Sequence, residues 1–432
     1  ILAVYRSYLA FFKQDIDSII LNSEQALEML PEKQSLLRDF AQLALMDACF
    51  WKEGNTIKAE KEILYLINKD RIRENPYLYF SIAYRYALIL LYSGKLHQGY
   101  SFCEEIIERL STIKPRLSKQ EAAFHVAISE VVVEWNRLEE ARHHLDIALE
   151  IYHPADQPEV IDAVIIHSIR GFIACGDTPK AREIIQWAKT KIPPVQLTRP
   201  YLSLLTAWQV RLDVEAGNLE QAERLLTRYP FVSESELHFL DEPVYIAQAR
   251  LWNAQKKYAH VGEFLDRLGA HLLEGDRIGR MIEILVLRSI SEVEQGHPEL
   301  AQQLLSRAIW LGSSEGFLRV FLEGGHTIHR LAIKLAAKTA ENSTMLSILA
   351  VFNQEKTNEN GKTRETGLFE MLSDREKEIL QLLSSRAMKK EIAVELGLSV
   401  NTVNYHTKNI YQKLGAHNRA EAVQIARKQG LL

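Results

Sequence analysis

The sequence predicts an all-α protein: an α-solenoid of about eight helix pairs followed by a small four-helix unit. Three observations predict it. Gly and Pro are scarce, 20 and 12 in 432 residues, and both break helix interiors. A turn pattern returns about every forty residues through the first three hundred. The last sixty residues then switch to shorter helical runs separated by Gly and Ser.

In each copy of the turn pattern a small or polar residue ends one helix, and a residue five positions on begins the packing of the next. The copies are Gln14 with Ile19, Gly54 with Ala59, Gly94 with Gly99, Asn136 with Ala141, Gly176 with Ala181, Gly217 with Ala222, Lys256 with Val261 and Gly296 with Ala301. Successive spacings are 40, 40, 42, 40, 41, 39 and 40 residues. Such regularity marks helix pairs that bury their apolar faces against their neighbours. The small residues let helices approach closely, and pairs such as Leu225-Leu226 fill the seam. The copy at Lys256–Val261 lacks both Gly and Ala. This body extends over residues 1–352.

From Asn353 to Gly367 the chain reads NQEKTNENGKTRETG, with almost no apolar content. Such a stretch cannot bury a core and is expected to be a flexible tether, placed at 353–370. Residues 371–432 form the last unit. Ser373 and Glu376 form a capping box, with Asp374 in the first turn, and Ile379, Leu382 and Leu383 supply the apolar stripe. A second helix, roughly Lys389 to Leu396, buries Ile392, Ala393 and Leu396 and stops at Gly397. Ser399 caps a third, on which Val400, Val403, Ile410 and Leu414 recur at helical spacing and face the core. Asn418 caps a fourth, carrying Ala422, Val423 and Ala426.

Three short helices with a tight turn before the third present that helix outward, the layout that enters a DNA major groove. Its polar face carries Asn401, Asn404, Tyr405, Lys408 and Gln412, whose groups suit base edges; Thr402, His406 or Lys408 suit phosphates, and Lys413 is a further candidate DNA contact. Charge agrees. The residues from Ser373 onward hold 10 Lys+Arg and 6 Asp+Glu, whereas the whole chain has a net charge of −4. A basic module on an acidic body fits a polyanion partner.

This unit resembles the LuxR-type helix-turn-helix family from Leu372 to Leu432. The resemblance is carried by Leu372-Ser373, Arg375-Glu376, Lys390-Glu391-Ile392-Ala393, Ser399, Thr402-Val403, His406, Asn409-Ile410, Lys413-Leu414, Arg419, Ala422-Val423 and Gly430-Leu431-Leu432. It implies base reading by Asn404, Tyr405 and Lys408, and pairing of domains through the fourth helix. Arg386, Met388 and Asn404 stand where that family usually has Gly, a capping Ser or Thr, and Lys. The first two departures weaken helix ends by about 1 kcal/mol for a lost cap. The third alters operator preference.

The body resembles the tetratricopeptide-like sensor domain of the MalT-type large LuxR regulators, on EWNRLEEA (134–141), IEILVL (282–287) and EGFLRVF (315–321). Its period exceeds the 34 residues of the tetratricopeptide repeat, so each helix should be longer. The resemblance implies a small-molecule or protein effector on the concave face, which first helices line. Tyr77, Phe80 and Tyr84, with Arg85, lie at i, i+3 and i+7 on one such helix. They are candidate effector contacts; core packing is the plainer reading. The resemblance also implies an ATPase module before the repeats, absent from this chain, which begins at Ile1 rather than Met.

Other chemistry is not supported. Gly361-Lys362-Thr363 lacks the leading Gly of a phosphate loop, since Lys356 stands there, and no strand precedes it. His143 and His144 are adjacent, so about 100° apart on a helix, and are expected on a solvated face. HExxH, GxSxG and CxxC are absent; Cys49, Cys103 and Cys175 fit buried thiols in a reducing cytosol. No apolar run reaches the ~20 residues of a membrane span. The sequence therefore predicts a non-enzymatic, cofactor-free cytoplasmic transcriptional regulator. Its partners would be double-stranded promoter DNA, further copies of itself as a dimer or oligomer on DNA, an effector, and RNA polymerase as a further candidate. The rival reading is a helical scaffold whose last helices bind proteins only.

Overall fold

The structure, a computed structural model, describes all residues except 14, 32–34, 114–116, 152–162, 192–198, 231–236, 338–342, 360–373, 386, 397–402, 404–405, 408–409, 412–415, 417 and 429–432. Two compact units are present, Ile1–Lys356 and Thr357–Leu432. Among the described residues there is no strand.

The first unit is an array of helix pairs: α1 (Leu2–Lys13) with α2 (Ile16–Met29), then α3 (Ser35–Glu53) with α4 (Thr56–Ile67). A single turn, α5 (Asp70–Arg73), precedes α6 (Pro76–Tyr92) and α7 (Leu96–Ser111). The array continues with α8 (Ser118–Glu134) and α9 (Leu138–Ile151), α10 (Ala163–Ala174) and α11 (Thr178–Lys191), α12 (Arg199–Glu215) and α13 (Leu219–Arg228). It ends with α14 (Glu242–Ala254) and α15 (Tyr258–Glu274), and α16 (Ile278–Glu294) and α17 (Pro298–Gly312), eight pairs in all. The short α18 (Arg319–Leu322), then α19 (Gly325–Ala336) and α20 (Ser343–Glu359), follow.

The recurrent turn is a helix C-terminal motif built on left-handed backbone. Gly54, Gly94, Asn136, Gly176, Gly217, Lys256 and Gly296 all have φ between +55° and +84°; Gln14 lies outside the described residues. At Lys256 two amides turn back on the helix end, Lys256 N–H to Asn253 O at 3.1 Å and Lys257 N–H to Trp252 O at 2.8 Å. Equivalent bonds close the turns at Gly94, Asn136, Gly176, Gly217 and Gly296. They satisfy carbonyls that a helix end would otherwise leave unpaired. Five residues on, Ile19, Ala59, Gly99, Ala141, Ala181, Ala222, Val261 and Ala301 are all buried. The copy without Gly or Ala therefore adopts the same turn and the same seam.

The array curls until distant repeats touch. Thr56, at the start of α4, donates its amide and hydroxyl to Gly275 O at 3.1 and 3.0 Å. Arg277, with no exposed side-chain surface, donates to Gly54 O at 2.5 Å and His271 O at 2.7 Å, and pairs with Glu242 (Nε to Oε1 2.7 Å). A Cβ on Gly54 or Gly275 would strike the Arg277 guanidinium, so those two positions leave room for it. Trp135 Nε1 donates to Glu315 O at 2.8 Å, and Leu318 N–H to Glu134 O at 2.8 Å. Repeats that are consecutive in a solenoid thus become a closed turn with a lumen.

Three expectations are corrected. The polar tether was expected from Asn353, but α20 runs through Glu359; Gln, Glu and Lys are good helix formers. Residues 360–370 lie outside the described residues, as does the phosphate-loop-like Gly361-Lys362-Thr363. His144 is not on a solvated face: its Nδ1 meets His125 Nδ1 at 2.8 Å, and burial, then His125, hold its pKa well below the usual value. His143 is exposed. Of the thiols, Cys103 is buried and Cys49 and Cys175 are half-buried. Among the described residues no helix is long and apolar enough to cross a membrane, and no three His, Cys, Asp or Glu side chains gather as a metal site.

Candidate nucleic-acid interface and sensor cavity

The second unit packs the helices Asp374–Ser384, Lys389–Leu396 and Arg419–Lys428 around one core. Ile379, Leu380, Leu383, Ile392, Ala393, Val403, Ile410, Ala416, Ala422 and Ala426 are buried in it. Met388, standing where Ser or Thr would cap the second helix, cannot do so with its side chain. The other half of the cap persists, because Glu391 Oε2 accepts the Met388 amide at 2.6 Å. Arg419 reaches back to the end of the first helix, donating Nε to Leu383 O at 2.9 Å and Nη1 to Ala387 O at 3.0 Å. That side chain supplies carbonyl satisfaction where the usual Gly stop is absent. Asn418 caps the last helix, accepting the Glu421 amide at 3.0 Å.

Between them, Val403, His406, Thr407 and Ile410 are helical and buried. Their spacing, i, i+3, i+4 and i+7, is one face of a helix. His406, expected from the sequence among the phosphate contacts, is only 8% exposed and shares the inward stripe. Thr407 donates its hydroxyl to Val403 O at 2.6 Å. Asn401, Thr402, Asn404, Tyr405, Lys408 and Lys413 lie outside the described residues.

In the first unit the lumen contains a partly open cavity of about 100 Å³. One wall is apolar, with Leu88 and Leu91 of α6, Leu96 of α7, and Phe317 and Val320. The other is a lattice of buried charge. His167 Nδ1 lies 3.2 Å from Glu130 Oε1, and Arg170 pairs with Glu134. Glu323 Oε1 takes Arg211 at 3.0 Å while Oε2 takes Arg250 at 3.4 Å. Glu283 takes Arg250 at 2.9 Å and Arg280 at 3.0 Å. Burial opposes ionisation of Glu323, but Arg211, Arg250 and Arg170 outweigh it and hold the carboxyl at about 2. At Glu134 burial wins over Arg170, and its pKa rises. Burial also pushes the Tyr92 hydroxyl, on the same cavity, to about 12.

The aromatic cluster named from sequence does not form a site. Phe80 is 1% exposed and packs in the core, whereas Tyr77 is 61% exposed. Tyr84 stands edge-on to Phe124, and Arg85 is committed to Asp47 at 2.7 Å. Of the three aromatics only Phe80 lies in the core, and Tyr84 is half-buried. The lumen residues were missed, although a signal existed. Glu130, Arg170, Arg211 and Arg250 each stand six residues before a turn residue in successive repeats.

Comparison with known proteins follows this division. Residues 2–338 match the family described as the MalT-like TPR region. Residues 370–426 match the bacterial regulatory proteins of the luxR family. The class defined is a LuxR-family regulatory protein with a helical-repeat body. The chain belongs to the MalT-like family. It is 26% identical over 327 residues to the HTH-type transcriptional regulator MalT of Serratia proteamaculans, covering 69% of this chain and 35% of that protein. The MalT of Vibrio campbellii is 26% identical over 345 residues, 72% of this chain and 37% of its own length. The chain thus spans little more than a third of these relatives. The last unit is 48% identical over 56 residues, 13% of this chain, to the probable transcriptional regulatory protein SgaR of Hyphomicrobium methylovorum, 26% of whose length is covered.

Proposed function

We propose that the chain is the sensing and DNA-binding part of a bacterial, cytoplasmic transcriptional regulator. In this reading the second unit binds promoter DNA in a sequence-specific way, and an effector in the solenoid lumen controls how copies assemble there. The observation that carries it is the inward stripe Val403, His406, Thr407 and Ile410 on a helical core. Helical spacing in the sequence supports Asn401, Tyr405 and Lys408 as the opposite, DNA-facing side, with Asn404 at its flank. Amide, phenol and ammonium groups there suit base edges, with Thr402 and Lys413 toward phosphates. The last helix buries Ala422 and Ala426 and exposes Gln424 and Arg427, an outer face suited to pairing two copies on paired half-sites.

Lys408→Ala with Asn404→Ala is expected to abolish specific promoter binding in a mobility-shift assay, each lost base contact costing about 1–3 kcal/mol. Circular dichroism should stay unchanged, because neither residue belongs to the buried stripe. Retained specific binding by the double variant would overturn the base-reading face. Absence of any salt-sensitive DNA binding by the parent chain would favour a protein-binding scaffold instead.

A further inference from the structure

Two groups on the lumen cavity have hydrogen-bonding capacity that the protein leaves unused. Glu134 is buried, and its Oε1 takes Arg170, but its Oε2 accepts no hydrogen bond from any described residue. A buried carboxylate oxygen without a donor is costly. Arg280 borders the same cavity and gives Nη1 to Glu283 at 3.0 Å; a guanidinium has five N–H donors. The surrounding charge is balanced. Glu130 meets His167 and Arg170, Glu323 meets Arg211 and Arg250, and Glu283 meets Arg250.

In so desolvated a lattice an occupant with net charge would leave an unmatched ion. An occupant that brings one cation to Glu134 and one anion to Arg280 preserves the balance and supplies the missing donor. The remaining wall, Leu91, Phe317 and Val320 with Trp208 at the side, offers apolar cover. From this juxtaposition we infer that the lumen binds a small zwitterion, an α-amino acid or short peptide with an apolar side chain. Its ammonium pairs with the Glu134 carboxylate and its carboxylate with Arg280. This rests on reading the lumen as the effector site.

The test is calorimetry and thermal shift on the whole chain with L-leucine, L-phenylalanine and leucyl-leucine, beside their N-acetyl and C-amide forms. The free zwitterions should bind and raise Tm. Blocking either end should weaken binding about tenfold or more, the loss expected of a charge-assisted hydrogen bond. In Glu134→Gln, free and N-acetylated ligands should bind alike, which a merely structural role for Glu134 would not produce. Equal binding of free and blocked forms would overturn the inference, as would silence of all three zwitterions. A singly charged or uncharged metabolite that binds the parent but not Trp208→Ala would overturn the zwitterion while keeping the lumen as effector site. A ligand that changes DNA binding equally in the parent and Trp208→Ala would overturn the lumen reading as well.

Discussion

The seam and the lumen of the solenoid are built on the same helices and obey opposite rules. At the seam, where first and second helices of a pair meet, the side chains are small and apolar: Ala141, Ala181, Ala222 and Ala301 have no exposed surface. On the lumen side, the first helices present Glu130, Arg170, Arg211, Arg250 and Glu283 as paired ions. Packing fixes the seam, whereas complementarity of charge fixes the lumen. The seam is therefore repetitive and the lumen is not, which allows one scaffold to vary what it encloses.

Removing a shared ion should break the contrast most severely. Glu323→Ala strips the carboxylate common to Arg211 and Arg250 and leaves buried guanidinia under-paired, at a cost of about 3–5 kcal/mol. Urea denaturation measures it, and a loss below that of the seam variant next described would mean that water reaches the lattice freely. The same group sets a pH window. Its folded pKa, about 2, is depressed below the ordinary 4.5, so its contribution is present above the ordinary value. It is lost as pH falls from about 5 towards 2. The parent should lose stability through that window by more than Glu323→Ala does.

The seam should respond less strongly, and to size alone. Ala301→Leu adds bulk to a position with no exposed surface, and overpacking of this kind costs about 1–3 kcal/mol. The variant should leave ligand binding in the lumen intact. A seam substitution that altered lumen binding while stability held would mean that the two sides are coupled.

Legibility in the sequence followed the same division. A seam demands small side chains and left-handed turns, and both restrict residue type, so forty-residue spacing exposed it even at Lys256. The lumen demands only that charges be complementary. Glu at 130 and Arg at 170, 211 and 250 share a register, but opposite charges in one register do not read as a single repeated feature. Closure was hidden for another reason: Thr56 meets Gly275 across 219 positions, and no local pattern carries such a contact. The low exposure of His406 was hidden as well, because an imidazole among polar residues gives no sign of the stripe it shares with Val403, Thr407 and Ile410. The tether misled because a polar composition excludes a core without excluding a helix.

The smallest effect tests whether turn residues serve the backbone alone. Lys256 holds φ +61° and is exposed. A left-handed conformation costs an L-residue roughly 1–2 kcal/mol, and glycine escapes that cost while losing more entropy on folding. Lys256→Gly should therefore stabilise by about 0.5–1 kcal/mol, a rise in Tm readable by calorimetry. Asn136 has the same backbone, φ +55°, yet its Oδ1 accepts Arg319 Nη1 at 3.2 Å. That bond ties the turn to the segment closing the lumen, so Asn136→Gly should gain nothing and should lose stability by about 1 kcal/mol. Equal gains at both turns would mean that the Asn136–Arg319 contact contributes nothing to closure. Opposite signs would show one turn motif serving the seam at Lys256 and the lumen at Asn136.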